Sequence, residues 1–550
     1  MITDTLADIR RAPSSGFAWL RVGSALVALL VCLPVAVVML NLFVPRAETW
    51  RHLASTVLPD YIANTLLLAA LVGAGVIVIG AGCAWLTTMC RFPMARFFEW
   101  ALLLPLATPA YVMAYVYTDF LQFAGPVQSA LRAAAGWHAG EYWFPDVRTL
   151  GGAAFVLTFV LYPYVYLLAR AAFLEQSSSA LETARMLGHG PWRSFFRIAL
   201  PLARPGIAAG TALCLMETLA DYGAVAYFGV DTFSTGIFRA WFSLADPVAA
   251  AQLGALLLAG VVAVLAFERM ARGRAAFHSA SRKRASPYAL GGARAIGAWL
   301  ACAVPLAIGF AVPAALLVRL ALQDEAAAFD ARFVRLAWNS FALASAAAML
   351  AIGCAMIIAY ALRVRPGIVE RVANRIGGLG YAMPGVVIAV GVMVPLTRVD
   401  QWLAGLLQTA TGAPATLVLS GTVLALLYAY VVRFLAVALQ TVDAGLAKIR
   451  RSMDEASRSL GAGPAATLAL VHAPLLAPSL IAAVLLVFVD VMKELPATLA
   501  LRPFDFDTLA VQTFNLAKDE RLAEASIPAL AIVAVGLIPV YLLARSMARR

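Results

Sequence analysis

Charge is scarce in this chain. Only 13% of its 550 residues are Asp, Glu, Lys or Arg, where soluble domains carry roughly 25%, and 62% are hydrophobic, with a mean hydropathy of +0.84. A soluble fold has no means of hiding that much apolar surface, so the composition points to a membrane. Lysine is scarcer still: the four, Lys283, Lys448, Lys493 and Lys518, follow Arg, Ala, Met and Ala, never Gly. A G-x-x-x-x-G-K-[ST] loop for cradling phosphates is therefore excluded, and any ATP hydrolysis falls to a partner. The six cysteines all sit in apolar segments and form no C-x-x-C pair, so neither a disulfide framework nor a zinc site is indicated. The five histidines are scattered, and His189 and His472 read as polar surface rather than as ligands. Alternating segments of about ten residues, the mark of a membrane β-barrel, are missing too.

What the chain has instead is apolar runs of about 20 residues, long enough to span a bilayer as helix. They begin near Val22, Tyr61, Phe98, Gly151, Pro205 and Val248, and again near Ile296, Trp338, Gly378, Pro414, Leu475 and Ser526. The first of these reads as a retained span, because no small-x-small cleavage site follows it. The net charge of +12 has a topological reading. With the N-terminus inside, Arg and Lys crowd the tail, the inner loops, the linker Arg269–Arg294 and the C-terminus, as cytoplasmic loops do. Both termini are then cytoplasmic, and nucleic acid is not an expected partner.

A short polar segment occurs twice. Glu182-Thr183-Ala184-Arg185-Met186-Leu187-Gly188-His189-Gly190-Pro191 precedes Pro201 and Pro205. At an offset of 273 residues, Glu455-Ala456-Ser457-Arg458-Ser459-Leu460-Gly461-Ala462-Gly463-Pro464 precedes Pro474 and Pro478. Asn64-Thr65 matches Asn339-Ser340, and Pro109 matches Pro384, at the nearby offset of 275. The chain is a tandem duplication, 1–280 and 281–550, with about six spans per half. An even number of spans makes the repeats parallel, unlike the inverted repeats of one large group of secondary transporters. The expected fold is an all-α polytopic membrane protein of two parallel-repeat bundles.

Each repeated segment starts as a helix, with Ser177 to Ser179 as N-cap candidates in one copy and Asp454 and Glu455 favouring the N-terminus in the other. Gly188 and Gly190, or Gly461 and Gly463, end that helix in a left-handed turn, and Pro starts the next. The product is a projecting elbow between two helices, suited to docking. The segment resembles the E-A-A-x-x-x-G loop, followed about ten residues on by Leu-Pro, of membrane subunits of binding-protein-dependent ABC importers. Glu182, Ala184, Gly188, Gly190 and Pro201 carry one copy; Glu455, Ala456, Gly461, Gly463 and Pro474 carry the other, with Thr183 and Ser457 as small departures. The resemblance covers nearly the whole chain. It implies a type I importer permease in the bacterial inner membrane, surrounded by lipid, with no cofactor of its own. It also implies two copies of a cytoplasmic subunit that binds ATP and Mg, one per elbow, and a periplasmic substrate-binding protein.

Two pairs of acids lie inside apolar runs: Glu217 with Asp221, and Asp490 with Glu494, each at i and i+4 and matched at the 273 offset. Acids in spans are costly and face a bundle interior or a water-filled cavity. One reading is that they bind helices together, with Lys493 neutralising one acid; the other is an oxygen lining that a hard cation contacts in transit. The words around them, Met216-Glu217-Thr218-Leu219-Ala220-Asp221-Tyr222-Gly223 and Lys493-Glu494-Leu495-Pro496-Ala497-Thr498-Leu499, resemble ferric-iron permeases of the Fbp/Sfu type. That implies Fe(III) as cargo in passing contact with the acids, and no firm resident metal. Fused permeases for thiamine or phosphonate share the architecture, and a gradient-driven transporter or channel is the alternative of another class.

Overall fold

The computed structural model describes residues 15–138, 140–176, 186, 190–272, 287–323, 330–411 and 419–548. The chain is helical, as its composition dictates. Among the described residues, 11 helices are long and apolar enough to cross a membrane, and a bent pair raises this to 12. The pair, Ala95–Ala107 with Ala110–Ala135, turns through 92° where the third span of the first half was expected. Its cause is local. Pro109 cannot extend a helix arriving from its N-terminal side, and the residue before a proline is driven out of the helical region. Thr108 is accordingly extended, after a tight turn at Leu104–Ala107. The second half repeats this construction with a tight turn at Gly380–Ala382, an extended Met383, and Pro384 ahead of helix Gly385–Thr411.

By packing, the chain divides into two compact units: the described part of Met1–Phe43 with Trp338–Phe506, and that of Val44–Ala337 with Asp507–Arg550. Neither coincides with one sequence repeat, because segments are exchanged. In the first unit, helix Ser15–Asn41 packs on Ile368–Gly377 and Gly385–Thr411, which belong to the second half of the sequence. In the other unit, Ala293–Leu306 packs on Leu58–Met89 and Ala95–Ala101, Val312–Gln323 packs on Ala110–Leu121, and Leu522–Ala548 packs on Val312–Gln323 and Leu104–Ala107. The opening helix of each repeat thus lies against helices of the other repeat.

The same chemical problem recurs at both exchanged helices. Pro34 has no N–H, so the carbonyl of Leu30, four residues back, loses its helical donor. The Tyr428 hydroxyl donates to that oxygen at 2.5 Å. Helix Gly385–Thr411 comes so close at this point that a Cβ on Gly391 would collide with the Pro34 backbone. In the other unit, a wide turn at Ala307–Ala311 has each N–H reaching five residues back, so the Val312 N–H takes the Ala307 carbonyl. The next N–H would come from Pro313, which has none, and the Tyr117 hydroxyl donates to the Ile308 carbonyl at 2.6 Å. In hydrocarbon, where no water is available, such a carbonyl must be satisfied by protein.

Tyr117→Phe and Tyr428→Phe should each therefore destabilise the protein by about 1–3 kcal/mol, the cost of leaving an acceptor without a donor where no water replaces it. Thermal unfolding of the purified protein in detergent measures this; unchanged midpoints in both variants would show that the carbonyls do not rely on these hydroxyls.

Candidate functional site

The second elbow is complete in the structure. Helix Arg451–Ser459 ends at Leu460, Gly461 takes the left-handed conformation at φ 81°, Gly463 is extended, and Pro464 opens the next helix. The Gly461 N–H closes on the Arg458 carbonyl at 3.0 Å, and the Ala462 N–H on the Ser457 carbonyl at 3.1 Å, so the last carbonyls of the helix are satisfied. Glu455 and Ala456 face outward, and Leu460 is 87% exposed. Ser457 faces inward and shares a hydrogen bond with the Thr467 hydroxyl at 2.8 Å, which locks the two arms of the elbow together. Of the first elbow, Glu182, Ala184 and Gly188 lie outside the described residues, as do Ser177, Ser178, Ser179 and His189. Met186 is exposed, Gly190 is followed by helix Pro191–Ser194, and Trp192 and Phe196 are exposed beyond it.

Both elbows return to the membrane through the same distortion. Residues Phe195–Ala199 and Leu468–His472 form wide turns in which the Leu200 N–H reaches the Phe195 carbonyl and the Ala473 N–H reaches the Leu468 carbonyl. Pro201 and Pro474 stand immediately after. Widening the helix by one residue makes room for a ring that would otherwise press on the carbonyl four residues back.

His472 departs from the expectation of polar surface: it is 1% exposed. Its Nε2 lies 2.6 Å from Asp454 Oδ1. A short apolar-looking helix start conceals it, and the sequence offers no sign that Asp454 lies beneath. Burial alone would raise the Asp454 pKa, but the hydrogen bonds and charges of Arg363 and His472 together outweigh it and hold the carboxyl below its usual range.

The matched acids separate into two kinds. Asp221 ends helix Leu200–Ala220, and its Oδ1 accepts from the Ala224 and Val225 N–H groups at 3.0 and 3.1 Å. Glu494 follows helix Ala473–Met492 and accepts from the Ala497 and Thr498 N–H groups at 3.0 and 3.1 Å and from the Thr498 hydroxyl at 2.8 Å. Each therefore caps the short helix after a break, Gly223–Tyr227 or Pro496–Leu501, by satisfying N–H groups three and four residues on. Glu494 also holds Arg433 at 3.0 Å, with both residues buried. A side chain at Gly385 would collide with both charged groups, so only glycine leaves room for the pair. The first half has Ala110 at the position of Gly385 and Val160 at that of Arg433.

Glu217 and Asp490, the other members, are half-buried and cap nothing. Glu217 makes no hydrogen bond or ion pair among the described residues, whereas Asp490 pairs with Lys493 at 2.9 Å. Lys493 thus balances Asp490, as the expected neutralising partner of one acid, while the cation on Glu494 is an arginine that apolar neighbours had hidden in the sequence. Among the described residues, no group of three His, Cys, Asp or Glu side chains is placed to hold a metal ion.

Two helical halves with a common elbow, built on membrane spans and lacking a P-loop, define a duplicated polytopic permease. The chain belongs to the family of binding-protein-dependent transport system inner membrane components, whose model matches twice, over residues 76–274 and 351–550. It is 27% identical over 535 residues to the Fe(3+)-transport system permease protein FbpB 2 of Haemophilus influenzae, covering 96% of this chain and 97% of that one. It is 24% identical to the ferric transport system permease protein FbpB of Actinobacillus pleuropneumoniae, over 87% of this chain and 69% of that one. The molybdenum transport system permease protein ModB of Escherichia coli is 31% identical, over 26% of this chain and 60% of its own length. The protein is therefore a multi-pass inner-membrane permease subunit of an ABC importer, a system that includes a substrate-binding protein and an ATPase.

Removing the carboxylate from the buried pair should leave Arg433 uncompensated. Glu494→Ala is expected to cost about 3–5 kcal/mol and to reduce the folded protein recovered by size exclusion in detergent. Glu217→Gln, which breaks no cap, should be recovered at the wild-type level; equal recovery of both variants would contradict the division of roles.

Proposed function

We propose that the imported cargo is ferric ion, released to this permease by a periplasmic binding protein and moved at the expense of ATP hydrolysed by two copies of a cytoplasmic subunit, one on each elbow. ATP and Mg belong to that subunit, and this chain holds no cofactor. Its termini and the linker between the repeats lie on the cytoplasmic side, in keeping with the distribution of Arg and Lys.

The observation that carries the cargo is the end-to-end similarity to a relative named for Fe(3+) transport, against a match confined to about a quarter of the chain for one named for molybdenum. Electrostatics agrees with it. Half-buried carboxylates at matched places in apolar helices attract a hard cation and repel an oxyanion. Of the four acids, Glu217 and Asp490 are the ones free of capping duty, and they are assigned passing contact with the ion. Asp221 and Glu494 act on the pathway through the helix breaks they hold in place.

The elbow assignment rests on the outward Glu455 and Ala456 beside the left-handed Gly461. Gly461→Val should disfavour the turn, since a β-branched residue rarely adopts positive φ. ATPase assembled on the purified permease should fall while membrane insertion persists. Wild-type assembly in Gly461→Val combined with Gly188→Val would refute docking at the elbows.

Cargo is tested with radioactive iron in a strain lacking other iron systems, normalised to assembled complex. Glu217→Gln should lower normalised uptake about tenfold, the effect of roughly 1.4 kcal/mol. Unchanged uptake would remove Glu217 from the pathway, and import of thiamine or a phosphonate instead of iron by the wild type would overturn the cargo itself.

A further inference from the structure

One guanidinium joins the second elbow to two membrane helices at once. Arg363 stands in the last turn of helix Ala331–Val364. Its Nε donates to Asp454 Oδ2 at 2.9 Å, and its Nη2 to Asp454 Oδ1 at 3.3 Å and to the Ile449 carbonyl at 2.9 Å. Its Nη1 donates to the Leu446 carbonyl at 2.5 Å, a carbonyl in the last turn of helix Val423–Ala447 that also accepts the Ile449 N–H at 3.1 Å. Asp454 in turn belongs to the elbow helix and meets His472 at the foot of the following span. One turn before Arg363, the Tyr360 hydroxyl donates to the Pro464 carbonyl at 2.7 Å, and the Tyr360 ring stands edge-on to His472 with centroids 5.5 Å apart. The planar fork of arginine is what permits three acceptors to be held together; an ammonium has no such geometry.

Nothing of this kind is encoded in the first half. At the corresponding positions stand Thr88 for Arg363, Leu181 for Asp454 and Ala199 for His472. Among the described residues, the Thr88 hydroxyl bonds within its own helix, to the Ala84 and Trp85 carbonyls.

We propose that Arg363 is a positioning residue that transmits movement of the second elbow to helix Ala331–Val364, a helix to which the elbow is not directly joined in sequence. In the first half, the described contact from the counterpart helix Leu58–Met89 to the return arm of the elbow is an aromatic one, Trp85 against Phe195 with centroids 5.2 Å apart. The two elbow segments therefore differ in the charged residues that brace them although they share a sequence motif. The inference rests on the reading that the elbows receive the ATPase, and its test separates the two.

The test reconstitutes the permease with its ATPase and measures two quantities: the assembly and basal hydrolysis of the complex, and the stimulation of hydrolysis by the loaded periplasmic binding protein. Arg363→Gln should leave assembly and basal hydrolysis near wild type and reduce stimulation about tenfold, within the 5–150-fold range of coupling between distant sites. Arg363→Lys, which keeps the charge without the fork, should restore stimulation only in part, and Thr88→Val in the first half should not alter it. Wild-type stimulation in Arg363→Gln would overturn the proposal. Loss of assembly together with stimulation in both Arg363 variants would also overturn it, because Arg363 would then merely maintain the shape of the elbow. If Arg363→Gln fails to fold, Arg363→Lys decides, and full stimulation in it refutes the role of the fork. Loss of assembly in the Gly461 and Gly188 variants tests the docking reading independently, since it does not depend on stimulation.

Discussion

A peptide group inside hydrocarbon has no water to turn to, and this protein interrupts its helices repeatedly at membrane depth. Every interruption needs a replacement donor or acceptor from the protein itself. The replacements are specific. Tyrosine hydroxyls cover the Leu30 and Ile308 carbonyls left by Pro34 and Pro313. Wide turns accommodate Pro201 and Pro474. Carboxylates cap the helices that restart after Ala220 and Met492. A continuous helix would require none of these groups, so their presence shows where the fold needs a bend more than it needs a cheap span.

That constraint divides the intramembrane acids more sharply than burial or spacing does. Spacing of i and i+4 put each pair on one helix face, which suggested a shared role. The helices end between the two members, however, so the second acid of each pair lies beyond the last turn, where it meets free N–H groups. The first acid remains on the helix with no backbone to satisfy. Asp221 and Glu494 therefore hold geometry, whereas Glu217 and Asp490 are half-buried without capping duty. Of these two, Asp490 is balanced by Lys493, while Glu217 makes no hydrogen bond or ion pair among the described residues.

The repeat, the apolar spans and the turn at Gly461-Ala462-Gly463-Pro464 were legible in the sequence because each depends on neighbours along the chain. Composition set the helical membrane class, but the break at Pro109 lay inside a run read as one continuous span. Long-range pairing was not legible. Arg433 sits between Val432 and Phe434 in an apolar run, and nothing local names Glu494, 61 residues away, as its partner. Arg363 reads as one more inner-loop cation, yet its guanidinium is consumed by Asp454 and two carbonyls. His472 was misread for the same reason, since only the tertiary fold brings Asp454 and Tyr360 around it. The exchange of opening helices between repeats also escapes periodicity, which records that a face is apolar but not which helix will cover it.

The duplication has diverged most in its buried charges. Both halves keep the elbow, the wide turn, the helix break and the carboxylate cap, all of which follow from backbone chemistry common to the two. Only the second half carries Arg433 on its cap and Arg363 beneath its elbow; the first has Val160 and Thr88 there. In a homodimer, any such pair would appear twice, in both elbows and both breaks. A fused chain is free of that symmetry and can stiffen one half alone. The second half has its break clamped by Arg433 and its elbow fastened to helix Ala331–Val364, while the first retains an acid cap with neither arginine at the matching positions. Unequal buried charges on a repeated elbow segment are what a single polypeptide can build and two identical subunits cannot.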